Sequence, residues 1–233
     1  MFPLQDANQA RNAPIINWMI IAANVLIFLY EMTLNRHELN EMIMMFGVVP
    51  AWLSADPGMH AITIFSSMFM HAGWIHLISN MWALHIFGDN VEDRLGHFNY
   101  MCFYLICGAV AALAQVFAGP NEMLPTIGAS GAIGGVLGAY VVMFPHAKII
   151  TLIPIGLIPL FINVPAFVYL GLWFVSQAFA GVAALDHSKL AAEAAGQVAW
   201  WAHIGGFLAG LLLVKLMEKR EYKQFYKDEF WPW

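Results

Sequence analysis

Apolar residues in this chain come in long runs, and polar residues collect in the stretches between them. A membrane-spanning helix needs about 20 predominantly apolar residues, with a range of about 17–25. The first such run is Ile15 to Met32, after a short and mostly polar N-terminus. Thr33 to His60 is mixed, with Arg36, Glu38, Glu41 and Asp56 around an apolar island, Met42 to Leu53. That island is too short and broken to span and is read as lying in the interface. Ala61 to Phe87 exceeds one span and is interrupted by His71, Gly73, His76 and Asn80. The second span is therefore placed from near Gly73 to near Gly88, with Ile62 to Met70 as a helical or looped lead-in.

A charged loop, Asp89 to His97, precedes the third span, Tyr100 to Ala118. Gly119-Pro120-Asn121-Glu122 makes a turn. The fourth span, Gly128 to Phe144, is short, glycine-rich and closed by Pro145. Pro154, Pro159 and Pro165 deny Ile149 to Pro165 an unbroken helix, so it is read as interfacial with extended pieces. The fifth span is Ala166 to Leu185; a polar loop, Asp186 to Gln197, leads to the sixth, Val198 to Met217. The pattern predicts an all-α integral membrane protein with six transmembrane helices. Residues 1–14 form its N-terminus, 15–217 the membrane domain and 218–233 a charged tail.

Composition supports this reading. The 233 residues are 61% hydrophobic with mean hydropathy +0.66, and 11% are charged, against about 25% in soluble domains. The net charge of −5 matters less than where the charges sit. With six spans and the N-terminus inside, the inner segments hold Arg11, Arg94, Lys148, Lys215, Lys219, Arg220, Lys223 and Lys227. The outer segments hold Arg36 and Lys189. This positive-inside bias predicts two cytoplasmic termini and puts the Ser130 end of the fourth span on the outer side. The first run lacks a small-residue cleavage site after it and is read as an uncleaved span. Cys102 and Cys107 lie five residues apart in one apolar run, well separated around a helix, so no disulfide is expected between them.

Candidate chemistry follows from polar groups inside these runs, where they are costly and mark function by default. Ser130 sits in Gly128-Ala129-Ser130-Gly131-Ala132, and Ser130, Gly134 and Gly138 share one helix face. Taken alone, this stretch reads more readily as a packing motif with an incidental serine than as a reactive site. His203, Gly206 and Gly210 share a face of the sixth span. Two glycine grooves can pack backbone to backbone, which would bring serine and histidine together, and a histidine in reach can activate a serine. His76 and Asn80, at i and i+4 on the second span, can aim two donors at one point, as an oxyanion requires; such a pair can also simply bridge helices.

A metal site would draw on His60, His71, His76 and His85. No HExxH occurs, and no acidic residue lies between Ala61 and Leu84, so no metal or other cofactor is expected. No acidic residue accompanies the candidate groups on their spans, so a hydrolase built from them would use a Ser–His dyad.

Three separated motifs resemble the rhomboid intramembrane serine proteases: Gly128-Ala129-Ser130-Gly131-Ala132, Ala202-His203-Ile204-Gly205-Gly206 with Gly210, and His71-Ala72-Gly73-Trp74-Ile75-His76-Leu77-Ile78-Ser79-Asn80. Gly88 to Gly96 resembles the family's turn after its second span. The resemblance implies a six-helix rhomboid bundle with a water-filled cavity open to the outer side. It implies Ser130 as nucleophile, His203 as general base, and His76, Asn80 and the Ser130 N–H as oxyanion hole. It implies single-span transmembrane proteins as substrates, entering past the fifth span, with the lipid bilayer as partner and no role for nucleic acid. A prokaryotic inner membrane is the expected location. Two features depart from the family: Leu53 follows Trp52 where many members carry a Trp-Arg pair in the first outer loop, and Gly134 stands where some place an aromatic beneath the histidine. A catalytically dead rhomboid-like binding protein and a transporter or channel are the alternative classes. The first lacks the serine or the histidine, and the second is favoured by inverted repeats, which are not seen.

Overall fold

The computed structural model describes residues 1–8, 10–156, 158–184 and 198–218. The elements in chain order are β1 (Phe2–Asp6), α1 (Ile15–Glu31), α2 (Arg36–Phe46), α3 (Pro50–Ala55), α4 (Pro57–His60), α5 (Thr63–Ser66), α6 (Trp74–Ala83), α7 (Asp89–Leu95), α8 (His97–Ala118), α9 (Ser130–Met143), β2 (Lys148–Ile155), β3 (Ile158–Pro165), α10 (Ala166–Ala184) and α11 (Trp200–Met217). The expected polar loop 186–197 and nearly all of the charged tail lie outside the described residues.

Among the described residues, three helices are long and apolar enough to cross a membrane: α8, α10 and α11. A fourth span results if the bent pair Pro57–Phe69 and Trp74–Leu95, which turn through 82°, is counted as one. The expected count of six is not reached on length. The two remaining apolar helices, α1 and α9, have 17 and 14 residues. At about 1.5 Å rise per residue, α9 covers only about 21 Å. Among the described residues it is also more enclosed than α1, α8, α10 or α11: 11 of its 14 residues are buried, among them Val136, Ala139 and Tyr140. A helix wrapped by protein need not match the thickness of lipid.

The expected break after Gly88 is corrected. The second span continues through a π turn, Leu84–Gly88, into α7, and Asp89–Leu95 is helical with Asn90 through Leu95 buried. Its three buried charges, Glu92, Asp93 and Arg94, are tolerated because each meets a partner distant in sequence. Glu92 accepts the N–H groups of Ile16 (2.9 Å) and Asn17 (2.7 Å), two of the unpaired donors at the start of α1. Asp93 accepts from Asn12 Nδ2 at 2.6 Å, and Arg94 Nε donates to Glu218 at 3.0 Å. The π turn has a local cause as well. A widened turn frees backbone carbonyls, and Asn17 Nδ2 donates to Leu84 O (2.9 Å) while Asn17 Oδ1 accepts from Tyr100 Oη (2.9 Å). Both ends of the described chain thus meet α7, at the end of the bundle away from Ser130.

The all-α expectation is also corrected. The segment expected to be interfacial with extended pieces is a hairpin, β2–β3, and β1 adds to it in an antiparallel sheet of order β1-β2-β3. Isoleucines and prolines favour this over helix, and Gly156 takes the positive φ (59°) that the hairpin turn needs. The sheet is fastened to α9 by Asp6, whose Oδ2 accepts from Tyr140 Oη (2.5 Å) and Asn90 Nδ2 (2.9 Å). Burial raises the Asp6 carboxyl from 3.8 to about 7, against the lowering effect of the Tyr140 bond.

Candidate active site

The α9–α11 seam brings the site together. The two helices start at the same end of the bundle, with Ser130 first in α9 and His203 in the first turn of α11. Their backbones approach unusually closely. A Cβ on Gly206 would lie 1.9 Å from Gly131 O, and one on Gly210 would lie 2.0 Å from Gly135 O. Only glycine allows this contact, and it repeats one helical turn further along. Ser130 Oγ and His203 Nε2 lie 2.8 Å apart. As the first residue of α9, Ser130 has an N–H with no carbonyl inside the helix to bond. It sits at the positive end of the helix dipole, a setting that favours developing negative charge.

Both remaining sequence candidates converge beside Ser130. Gly128 has φ +122°, a conformation that side chains rarely adopt, and its N–H bonds Ser67 O at 2.8 Å. A Cβ there would meet His76 Nε2 at 2.6 Å and Asn80 Nδ2 at 3.8 Å. Two donor nitrogens therefore crowd over the backbone two residues before the serine. His76 Nδ1 accepts the Ala72 N–H at 3.4 Å, which leaves Nε2 as its donor. Asn80 Nδ2 donates to His71 Nε2 at 3.0 Å, with its second N–H left over, and the His71 and His76 rings meet edge to face at 4.9 Å. His71 thus supports the pair. His60 stands instead against Trp52 (5.7 Å), and His85 against Trp82 (6.0 Å).

Sequence reasoning missed what surrounds His203. Gly134 packs against the helix backbone, where a Cβ would meet His203 O at 2.8 Å, so no side chain from that position can lie under the ring. Trp173 and Trp200 stand 6.0 and 6.1 Å from the imidazole centroid instead. Gln177 of α10 places Oε1 2.6 Å from His203 Nδ1. The signal was available: Gln177 is a buried amide in a largely apolar span.

A membrane bundle in which a serine and a histidine meet across a glycine seam, with amide and imidazole donors beside them, has the layout of an intramembrane serine hydrolase site. The rhomboid domain model matches residues 57–220, well over half of the chain. The chain belongs to the rhomboid family. It is 31% identical over 184 residues to rhomboid protein 1, mitochondrial, of Saccharomyces cerevisiae, covering 73% of this chain and 47% of that one. It is 30% identical over 157 residues to rhomboid-like protein 11, chloroplastic, of Arabidopsis thaliana, covering 66% and 51%. With the presenilin-associated rhomboid-like protein, mitochondrial, of Homo sapiens the identity is 29% over 204 residues, covering 84% and 46%. The chain therefore spans about half the length of these curated relatives. The prokaryotic assignment is not borne out, since these relatives are organellar proteins of eukaryotes. What holds is a membrane-spanning rhomboid protein.

Proposed function

We propose that this chain is an intramembrane serine endopeptidase that cuts transmembrane segments of single-span proteins with a Ser130–His203 dyad. The observation that carries the reading is the 2.8 Å contact between Ser130 Oγ and His203 Nε2. That distance suits transfer of the hydroxyl proton to the imidazole as Oγ attacks a peptide carbonyl. The negative charge then forms on the carbonyl oxygen, where the Ser130 N–H, His76 and Asn80 are the donors that stabilise it. His203 returns the proton to the departing amine, and water, with His203 again as base, releases the acyl group from Ser130. The reaction uses no metal or other cofactor. The protein works in a lipid bilayer as six spans, α1 and α9 being the two short ones, with both termini on the side rich in lysine and arginine and the dyad toward the other.

The test is cleavage of a single-span substrate by purified protein in detergent. Wild type should yield one defined pair of fragments. Ser130→Ala, His203→Ala and the double mutant should be about equally inactive, because members of a catalytic unit are non-additive. Cleavage by Ser130→Ala well above background would place the nucleophile elsewhere. A non-catalytic binding scaffold predicts no fragment from wild type, with substrate capture unaffected by Ser130→Ala.

A further inference from the structure

A dyad has no carboxylate to hold its histidine, so something else must choose which ring nitrogen carries the proton. For His203 to accept from Ser130, Nε2 must be bare and Nδ1 must be the N–H. In a neutral imidazole that choice follows from the partner offered to the other nitrogen. Every hydrogen bond in the chain leading away from Nδ1 has a defined direction. Ser176 Oγ donates to Trp173 O at 2.6 Å, which leaves its lone pairs to accept. Gln177 Nε2 donates to Ser176 Oγ at 3.1 Å. The amide is thereby oriented with Oε1 toward His203, 2.6 Å from Nδ1. An amide oxygen is an acceptor only, so Nδ1 must donate and Nε2 must be the acceptor facing Ser130.

We propose that Gln177, held by Ser176, is the positioning residue that fixes His203 in the tautomer able to take the Ser130 proton. This rests on the dyad reading. The assignment also ties the chemistry to α10, the least embedded of the three long spans among the described residues, with four of its 19 residues buried. Apart from Ala166, Leu170 and Gly181, Gln177 is its only buried residue. Its Oε1 reaches Nδ1 only while α10 stays docked against α11, so the base is correctly set only in that arrangement.

Three Gln177 variants and one label test this. Gln177→Leu keeps the bulk and removes the acceptor. It should lower kcat about ten-fold, the order of one hydrogen bond, with KM little changed. Gln177→Glu restores an acceptor, now charged, that stabilises the imidazolium. It should regain most of kcat and move the acid limb of the pH–kcat/KM profile to higher pH, because more alkali is needed to keep His203 neutral. Gln177→Asn is one methylene too short and should resemble Gln177→Leu. His76, the titratable side chain that acts on His203 across the site, is unchanged throughout. A serine-directed phosphonate monitors the dyad separately: wild-type protein must label on Ser130, and failure there refutes the dyad itself. With that label present, wild-type kcat in Gln177→Leu, or an unmoved acid limb in Gln177→Glu, would overturn the positioning role. If Gln177→Leu does not fold, the acid limb of Gln177→Glu decides.

Discussion

Gly206→Ala tests the seam on which the site depends. The new Cβ would lie 1.9 Å from Gly131 O, whereas ordinary contact begins at 3.4 Å. The obstructing atom is backbone, which cannot rotate away, so α9 and α11 must separate by 3.4 − 1.9 = 1.5 Å at that level. Overpacking of this kind costs about 1–3 kcal/mol, or a fall in Tm of about 2–12 °C at about 2–4 °C per kcal/mol for a chain of this size. His203 is one turn away on the same helix. If even about 1 Å of the separation reaches it, the 2.8 Å Ser130–His203 contact passes the hydrogen-bond limit, and about a hundred-fold loss of kcat follows. The assay is thermal unfolding and single-span substrate cleavage in one detergent. Gly171→Ala is the control: a Cβ there meets nothing within 4 Å, and Ala favours the helix by about 1 kcal/mol, so Tm should hold or rise and activity should persist. Wild-type Tm and kcat in Gly206→Ala would refute the close seam.

Three further outcomes follow from other contacts. Asp6 is held at about 7 from 3.8, so it binds its proton more tightly when folded; its contribution is full below about pH 4 and is lost as pH rises through 7. The difference is at most about 4 kcal/mol, and Asp6→Asn should flatten the decline of wild-type Tm between pH 5 and 8; an unchanged decline would place the titrating group elsewhere. Glu92→Gln should lower Tm, since bonds from the α1 N–H groups to a charged acceptor are worth about 1.5–3 kcal/mol; equal melting curves would show that this cap contributes nothing. His76→Ala and Asn80→Ala should each reduce kcat, by up to about a thousand-fold, with KM little changed; wild-type turnover in both and in the double mutant would leave them structural.

What could be read ahead from residues alone divides along a physical line. Ser130, His203 and their glycines were legible because the signal is local: small residues at helical spacing define one face, and two such faces invite each other. The end of the second span was not. Asp89, Glu92, Asp93 and Arg94 look like a solvated loop until Ile16, Asn17 and Asn12 are seen to donate to Glu92 and Asp93, and Glu218 to accept from Arg94; nothing near them in sequence announces those partners. The sheet failed for the same reason. Phe2–Asp6 pairs with a strand about 145 residues later, for example Phe2 opposite Leu152, and a polar N-terminus gives no sign of it. Gln177 lay between these cases. It was visible as the amide in an apolar helix, but its meaning required α10 to be docked on α11.

Phosphonate labelling followed by peptide mapping tests the central claim most directly, because it reports the activated hydroxyl without needing the natural substrate. The dyad predicts modification of wild-type protein on Ser130 and almost none in folded His203→Ala, since the hydroxyl is a weak nucleophile without its base. Labelling of His203→Ala at the wild-type rate, or a wild-type label on any residue other than Ser130, would contradict it.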